Sequence, residues 1–311
     1  MTKTLASLLD RYLALRRSLG FQTGGQERLL TDFISYVDQQ HHAGPLRAQL
    51  AFEWAFGPTG RGCAKRLNVV RGFLAHVRAA FPETEIPPHG LLPAEPRPRP
   101  HLYSDEEIAA LILAALSLGP RNGLRPHTYA TLIGLLVSSG LRIGEAAGLR
   151  RADVDLEALI PCLHVRRAKF RKSRLVALHP TTAEALRAYG RRRDRLGYGT
   201  RCDAFFVSEA RNPLGPGRAR CTFVTLARRA GVRGPSGPGP RLHDFRHTFA
   251  VRRLLLWCRA GDDVRARLPE LSVYLGHVRP QDTYWYLTAT PELLAFAAAS
   301  FEPHAYPEDA P

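Results

Sequence analysis

The chain has 311 residues, with 44 Lys and Arg against 28 Asp and Glu, a formal net charge of +16. At ~100–200 residues per domain this length suggests two domains. With 45% hydrophobic and 23% charged residues, the composition excludes a disordered tail, a collagen-like chain and a coiled-coil rod. So strong a basic excess in a folded protein points to a polyanionic partner, without choosing between DNA, RNA and an anionic membrane.

The charge is spread along the chain. Residues 1–100 hold 13 basic and 8 acidic side chains, and residues 101–311 hold 31 and 20. That suits a protein that grips its partner from two sides better than one with a basic tail. Only four basic residues are Lys (Lys3, Lys65, Lys169, Lys172); the other 40 are Arg. Five cysteines (Cys63, Cys162, Cys202, Cys221, Cys258) form no CxxC pair, which fits a reducing compartment and no disulfide or zinc-ribbon framework. The apolar run before Asp10 is too short for a signal peptide, and no run approaches the ~18–20 apolar residues of a membrane span. A soluble, cytoplasmic protein is expected.

In chain order, Leu5, Leu8, Leu9, Tyr12, Leu13 and Leu15 follow helical spacing, as do Leu29, Leu30, Phe33, Ile34 and Val37, then Leu67, Val70, Phe73, Leu74 and Val77. Residues 1–80 therefore read as a helical domain. The next twenty residues, FPETEIPPHGLLPAEPRPRP, contain seven prolines. Such density forbids helix and sheet and predicts a stiff linker over 81–100. Ser104 and Glu107 form a capping-box pair ahead of Ile108, Leu111 and Ile112, opening a second domain over 101–311. A helix over 127–138 ends where Gly140 can take a left-handed cap. Two β-prone runs, Leu163–Val165 and Leu175–Leu178, flank a cationic centre and predict a β-hairpin. Helices are expected over 181–196, 218–230, 243–259, 268–274 and 291–300. The fold class is thus mainly α with a small antiparallel β-sheet.

Five features of the second domain carry chemistry: Arg142 in SGLRIGEAAGL, the Lys169/Lys172 hairpin, HDFRH at 243–247, LGH ending at His277, and the tyrosines of TYWYL. The first four have bland readings: a dipole-pairing arginine, a basic loop, a capping histidine, a helix end. His243 and Arg246, three apart, share a helix face. Two of four lysines fall within one hairpin. Arg can replace Lys as a phosphate clamp but cannot donate its proton, so Lys kept against an arginine bias suits a general acid. His243 and His247 are also spaced as in an HExxH zinc helix, with Asp244 in the glutamate's place; no clear third ligand follows.

Taken in order, SSGLRIGEAAGLRRADVD, AKFRKSRLVAL, LHDFRHTFA and LGHVRPQDTYWYL resemble the tyrosine recombinases, or phage-type integrases, of mobile elements. The resemblance spans essentially the whole chain. It implies a helical N-terminal domain that binds core DNA and closes as a C-shaped clamp with an α+β catalytic domain. It further implies a basic pocket of Arg142, Lys169, His243, Arg246 and His277, with Tyr286, nine residues past His277, as nucleophile. Tyr284 competes, but two residues apart on a helix means opposite faces. Glu145 would orient Arg142 from behind. Lys172, Arg171, Arg174, Lys65 and Arg66 would contact DNA. Ala177 stands where proline is common in the family. The implied activity is site-specific cutting and rejoining of duplex DNA through a 3′-phosphotyrosine, with no metal, cofactor or ATP. The implied assembly is a homotetramer on two DNA sites, alone or with sister recombinases, joined through the terminal helix and associated with the nucleoid. A type IB topoisomerase and a non-catalytic DNA-binding regulator are the alternatives.

Overall fold

The computed structural model describes residues 2–299, apart from 22, 43, 58–61, 93–98, 167–172, 199–201, 238, 278, 280 and 289. The chain divides into two compact units, Met1–Pro98 and Arg99–Pro311.

The first unit packs four helices, α1 (Thr2–Ser18), α2 (Gly24–Gln39), α3 (Ala48–Phe56) and α4 (Cys63–Val77). Their apolar faces meet in one core that includes Leu5, Leu13, Phe33, Trp54, Phe73 and Leu74. The period-3.6 stripes in the sequence are these buried faces. Helix α3 carries Leu50, Ala51, Phe52, Trp54, Ala55 and Phe56 within nine residues, so no polar stripe marks its period.

Residues 81–92 form neither helix nor strand, as their prolines dictate, yet they are no free connector. Arg71, buried on α4, donates to the carbonyls of Pro87 and Pro88, each at 2.7 Å. Glu85 accepts from the Ala48 backbone N–H at 2.9 Å and from Arg47 at 2.7 Å. Thr84 is buried, and Phe81, Ile86 and Leu92 pack on the helical core. The proline-rich stretch therefore begins as a strap across its own unit.

The second unit holds α5 (Asp105–Leu116), α6 (Arg125–Ser139), α7 (Ile143–Ala147), α8 (Pro180–Arg195), α9 (Pro216–Arg229), α10 (Asp244–Arg259), α11 (Val264–Leu275), α12 (Gln281–Tyr284) and α13 (Pro291–Ala299). A 3₁₀ turn, Trp285–Thr288, follows α12 directly. Three short antiparallel strands, β1 (Val154–Asp155), β2 (Cys162–Val165) and β3 (Arg174–Ala177), pair in the order β1-β2-β3. In the β2–β3 hairpin Leu163 faces Val176 and Val165 faces Arg174. The architecture is mainly helical with one small antiparallel sheet. Ser104 caps α5 through the Glu107 N–H while Glu107 reaches back to the Ser104 N–H at 2.9 Å. Helix α11 begins four residues before the 268 expected, because Asp263 caps the N–H groups of Arg265 and Ala266 and Pro269 sits inside the helix.

Two apolar clusters fill this unit. The larger joins α5, α6 and α8 to the sheet and α9; the smaller joins α10, α11, Tyr286 and Leu293 of α13. The seam between them carries the residues described next.

Candidate active site

Helix ends build the site. Helix α6 stops at Gly140, whose φ of +62° needs no side chain, and the chain turns at once into Arg142, the residue before α7. A Cβ on Gly140 would lie 2.6 Å from the Phe249 ring. Helix α11 stops the same way at Gly276, φ +70°. Both C-terminal ends present carbonyls that no helical N–H can reach, and carry partial negative charge.

Arg246, one turn into α10, occupies that negative focus. It is 1% exposed, the largest fully buried side chain among the described residues. It donates to the carbonyls of Gly140 at 3.0 Å and Leu275 at 2.7 Å, and its charge interacts with the Tyr286 hydroxyl. Burial, with Arg142 nearby, lowers its pKa to about 10, so it remains a cation at neutral pH. A guanidinium can be buried here because helix-end carbonyls receive its N–H groups.

Arg142 is more open. Its backbone N–H donates to Glu145 at 3.0 Å and its Nη1 to the same carboxylate at 2.9 Å, with Gly276 carbonyl contacts near 3.4 Å. Glu145 is buried and also accepts two bonds from Arg174, at 3.1 and 3.0 Å. Burial alone would raise its pKa, but the hydrogen bonds and charge of Arg174, with those of Arg142, hold it down to about 2.

His243 precedes α10 and is exposed at the mouth of the site. Desolvation, then the His247 ring and the Arg246 and Arg142 cations, lower its pKa to about 4. His277 is held at about 4 as well, chiefly by desolvation, then by the same two arginines. Its Nδ1 lies 2.7 Å from the Thr283 hydroxyl. Both rings are therefore neutral at pH 7 and able to accept a proton.

Tyr286, on the 3₁₀ turn, is 3% exposed, whereas Tyr284 is 51% exposed. The two tyrosines differ in environment as their spacing requires. The Tyr286 ring stacks on His277 at 6.0 Å and meets His247 edge-on at 5.3 Å. His247 in turn meets His243 edge-on at 5.1 Å, and its Nδ1 is buried without a partner.

The structure thus brings together Arg142, Glu145, His243, Arg246, His277 and Tyr286, drawn from α7, α10, the end of α11 and the 3₁₀ turn. Lys169, Arg171 and Lys172 lie outside the described residues. Two of the expected DNA contacts are engaged within the protein itself. Arg174 does not face outward: its side chain is 10% exposed and committed to Glu145 and to the Tyr274 carbonyl at 2.8 Å. Arg66 is paired with Asp32 at 3.2 Å and lies over the Trp54 ring at 4.3 Å, so it braces the helical unit. Lys65 stays exposed, beside an open groove lined by Arg28, Thr31, Asp32 and Ser35. Sequence reasoning missed Arg174, His247 and Thr283 as parts of the site. The alternation of β3 gave a signal for one: Arg174 shares a face with buried Val176.

The zinc reading of HDFRH meets a geometric obstacle. Asp244 is buried and spends both oxygens on Arg241. Among the described residues no three His, Cys, Asp or Glu side chains converge. The arrangement instead concentrates cations and neutral imidazoles around one tyrosine, which suits nucleophilic attack at an anionic centre. Among the described residues, no helix is long and apolar enough to cross a membrane.

Known proteins share this pattern. The family model described as the phage integrase family matches residues 105–292. A Sinorhizobium fredii protein carrying the provisional name integrase/recombinase y4rB is 43% identical, over 96% of this chain and 97% of its own. Tyrosine recombinase XerC of Pseudomonas syringae pv. syringae is 30% identical, over 94% and 89%. Among solved structures, the Tn1549 transposon integrase in complex with transposon right end DNA aligns with a TM-score of 0.65 at 16% identity, covering 96% of this chain and 99% of that one. XerH bound to difH substrate aligns at 0.63 and 18% identity, covering 97% and 85%. These two establish likeness of fold.

Proposed function

Because the chain belongs to the phage integrase family of tyrosine-type site-specific recombinases, we propose that Tyr286 is its nucleophile and that it cuts and rejoins duplex DNA. The observation that carries this is the seat of Tyr286: buried and flanked by two imidazoles, within the field of the buried Arg246 cation.

The Tyr286 oxygen attacks the scissile phosphorus. One P–O bond forms to tyrosine and the bond to the 5′-oxygen breaks, leaving a 3′-phosphotyrosine. His243, neutral in the free protein, takes the phenolic proton. Lys169 supplies a proton to the departing 5′-oxygen, so the leaving strand ends in a hydroxyl. Arg142 and Arg246 stabilise the charge that grows on the non-bridging oxygens; losing one such donor typically costs ~10²–10³ in rate. His277 hydrogen-bonds the phosphate. The phosphodiester bond energy is kept in the tyrosyl ester, so a second 5′-hydroxyl can reverse the steps without ATP, and the chemistry routes no step through a metal.

The finer reading is a homotetramer acting on two DNA sites. Leu294 on α13 is exposed, while Leu293 is buried against its own unit, so α13 has an apolar side chain available for a neighbour. A lambda integrase of similar fold was solved as a tetramer bound to a Holliday junction. A cytoplasmic, nucleoid-associated site of action follows from a DNA substrate.

The test is trapping on a suicide DNA substrate that lets the cleaved 5′ end diffuse away. Wild type should give a denaturation-resistant adduct, unchanged in EDTA, and Tyr286→Phe should bind DNA without forming it. An adduct that survives in Tyr286→Phe and vanishes in Tyr284→Phe would move the nucleophile to Tyr284. An adduct that EDTA abolishes would contradict the metal-free route.

A further inference from the structure

Among the described residues, Glu145 is the one carboxylate paired with Arg142, yet it answers two guanidiniums. Its Oε1 accepts from Arg142 Nη1 and Arg174 Nη1, at 2.9 and 3.1 Å. Its Oε2 accepts from the Arg142 backbone N–H and from Arg174 Nη2, both at 3.0 Å. One negative charge thus faces two positive ones. The side chain of Arg174 is 10% exposed and that of Arg142 30%, so the uncompensated charge emerges at Arg142.

The seat of Arg174 is built for a guanidinium. Nε donates to the Tyr274 carbonyl at the end of α11. Gly276 leaves the room it occupies: a Cβ there would stand 2.7 Å from Arg174 Nη1. One planar fork therefore joins β3, the carboxylate behind Arg142, and the helix end that leads into His277. Lysine could supply the charge but not the two parallel bonds.

We propose that Arg174 is a positioning residue for strand cleavage: by sharing Glu145 it keeps Arg142 aimed and electrically uncompensated toward the scissile phosphate. This rests on the reading of Arg142 as a phosphate-binding group. Without Arg174, Glu145 would pair with Arg142 alone, the local charge would cancel, and the Arg142 guanidinium would be drawn toward the carboxylate. Arg174 spends its own guanidinium on Glu145 and the Tyr274 carbonyl, so it acts through Arg142.

The experiment compares single-turnover cleavage by the full chain, wild type, Arg174→Met and Arg174→Lys, at saturating suicide substrate. Two substrates are used, one with the natural phosphodiester and one with a neutral methylphosphonate at the scissile position. Expected is a loss of about 10–100-fold for Arg174→Met on the phosphodiester, the usual range for a group supporting a site ligand, with duplex affinity nearly unchanged. Arg174→Lys should fall between the two, and the gap should shrink on the methylphosphonate, which has no ionised oxygen for Arg142 to meet. Equal losses on both substrates would make Arg174 a general brace and overturn the proposal. So would weaker DNA binding with unchanged cleavage at saturation, which would mark a DNA contact. Should Arg174→Met fail to fold, Arg174→Lys alone carries the same comparison. Absence of an adduct with wild type would instead overturn the reading of the site beneath it.

Discussion

The distribution of charge over single residues decides what this site can do. Glu145 is the counterweight: removing it in Glu145→Ala leaves Arg142 and Arg174 facing each other without an anion. Breaking a buried pair from one side typically costs ~3–5 kcal/mol; partial exposure of Arg142 puts the expectation near ~3 kcal/mol, read as a fall in Tm. A loss under ~1 kcal/mol would mean that water already screens the trio. The histidines set the pH behaviour. His243 and His277 bind protons below about 4 when folded, but near ~6.5 when unfolded. The unfolded chain therefore takes up protons first, and their contribution to stability is intact above ~6.5 and lost as pH falls toward 4. Glu145, held at about 2, keeps its contribution down to the ordinary carboxylate value of ~4.3 and loses it as pH falls from there toward 2. The Tm of the DNA-free protein should drop between pH 7 and pH 5, and His277→Asn should remove part of the drop. An unchanged profile in that variant would show that His277 does not titrate as its surroundings require. Bound phosphate favours the charged imidazole, so DNA should reduce the drop.

At the scale of elements, the site depends on where helices stop. Gly140 ends α6, lends its carbonyl to Arg246, and has no room for a Cβ against Phe249. A left-handed alanine costs ~1–2 kcal/mol and forced overpacking a further ~1–3 kcal/mol. Gly140→Ala should therefore lower Tm and slow adduct formation together, because the displaced chain carries both the Arg246 acceptor and Arg142. Normal cleavage in a destabilised Gly140→Ala would separate the turn from the chemistry. This turn was legible, since glycine after a helical period marks a left-handed cap, and so was the Ser104–Glu107 box. What could not be read were elements without a period of their own. Helix α7 has five residues, α3 is apolar nearly all round, and the 3₁₀ turn holding Tyr286 is four residues long. Leu175 misled in the opposite sense: it is apolar yet 60% exposed, while polar Arg174 beside it turns inward. Nothing local says that the carboxylate to receive Arg174 lies 29 residues earlier.

For the molecule as a whole, the +16 charge is made up of exposed cations, cations paired within the fold and the few gathered around Tyr286. Motif order along the chain was enough to name Arg142, His243, Arg246, His277 and Tyr286 as one constellation. Charge counting was not enough to divide the arginines, because Arg66 and Arg174 look like any other basic residue until their partners Asp32 and Glu145 are seen. The division has a measurable consequence. Exposed cations release counterions on binding, so the logarithm of affinity should fall linearly with the logarithm of salt, by ~0.9 for each phosphate neutralised. Arg246 is buried, so the cleavage rate at saturating DNA should barely change over the same salt range, screening being weak for buried charge. Lys65→Ala, which removes an exposed cation from α4, should make the salt slope shallower by about one phosphate's worth while leaving the saturated rate intact. Arg66→Ala should act differently, lowering Tm through the lost Trp54 stacking and Asp32 pair. A saturated rate that falls as steeply with salt as affinity does would mean that the pocket is open to counterions and that holding and cutting DNA rest on the same charges.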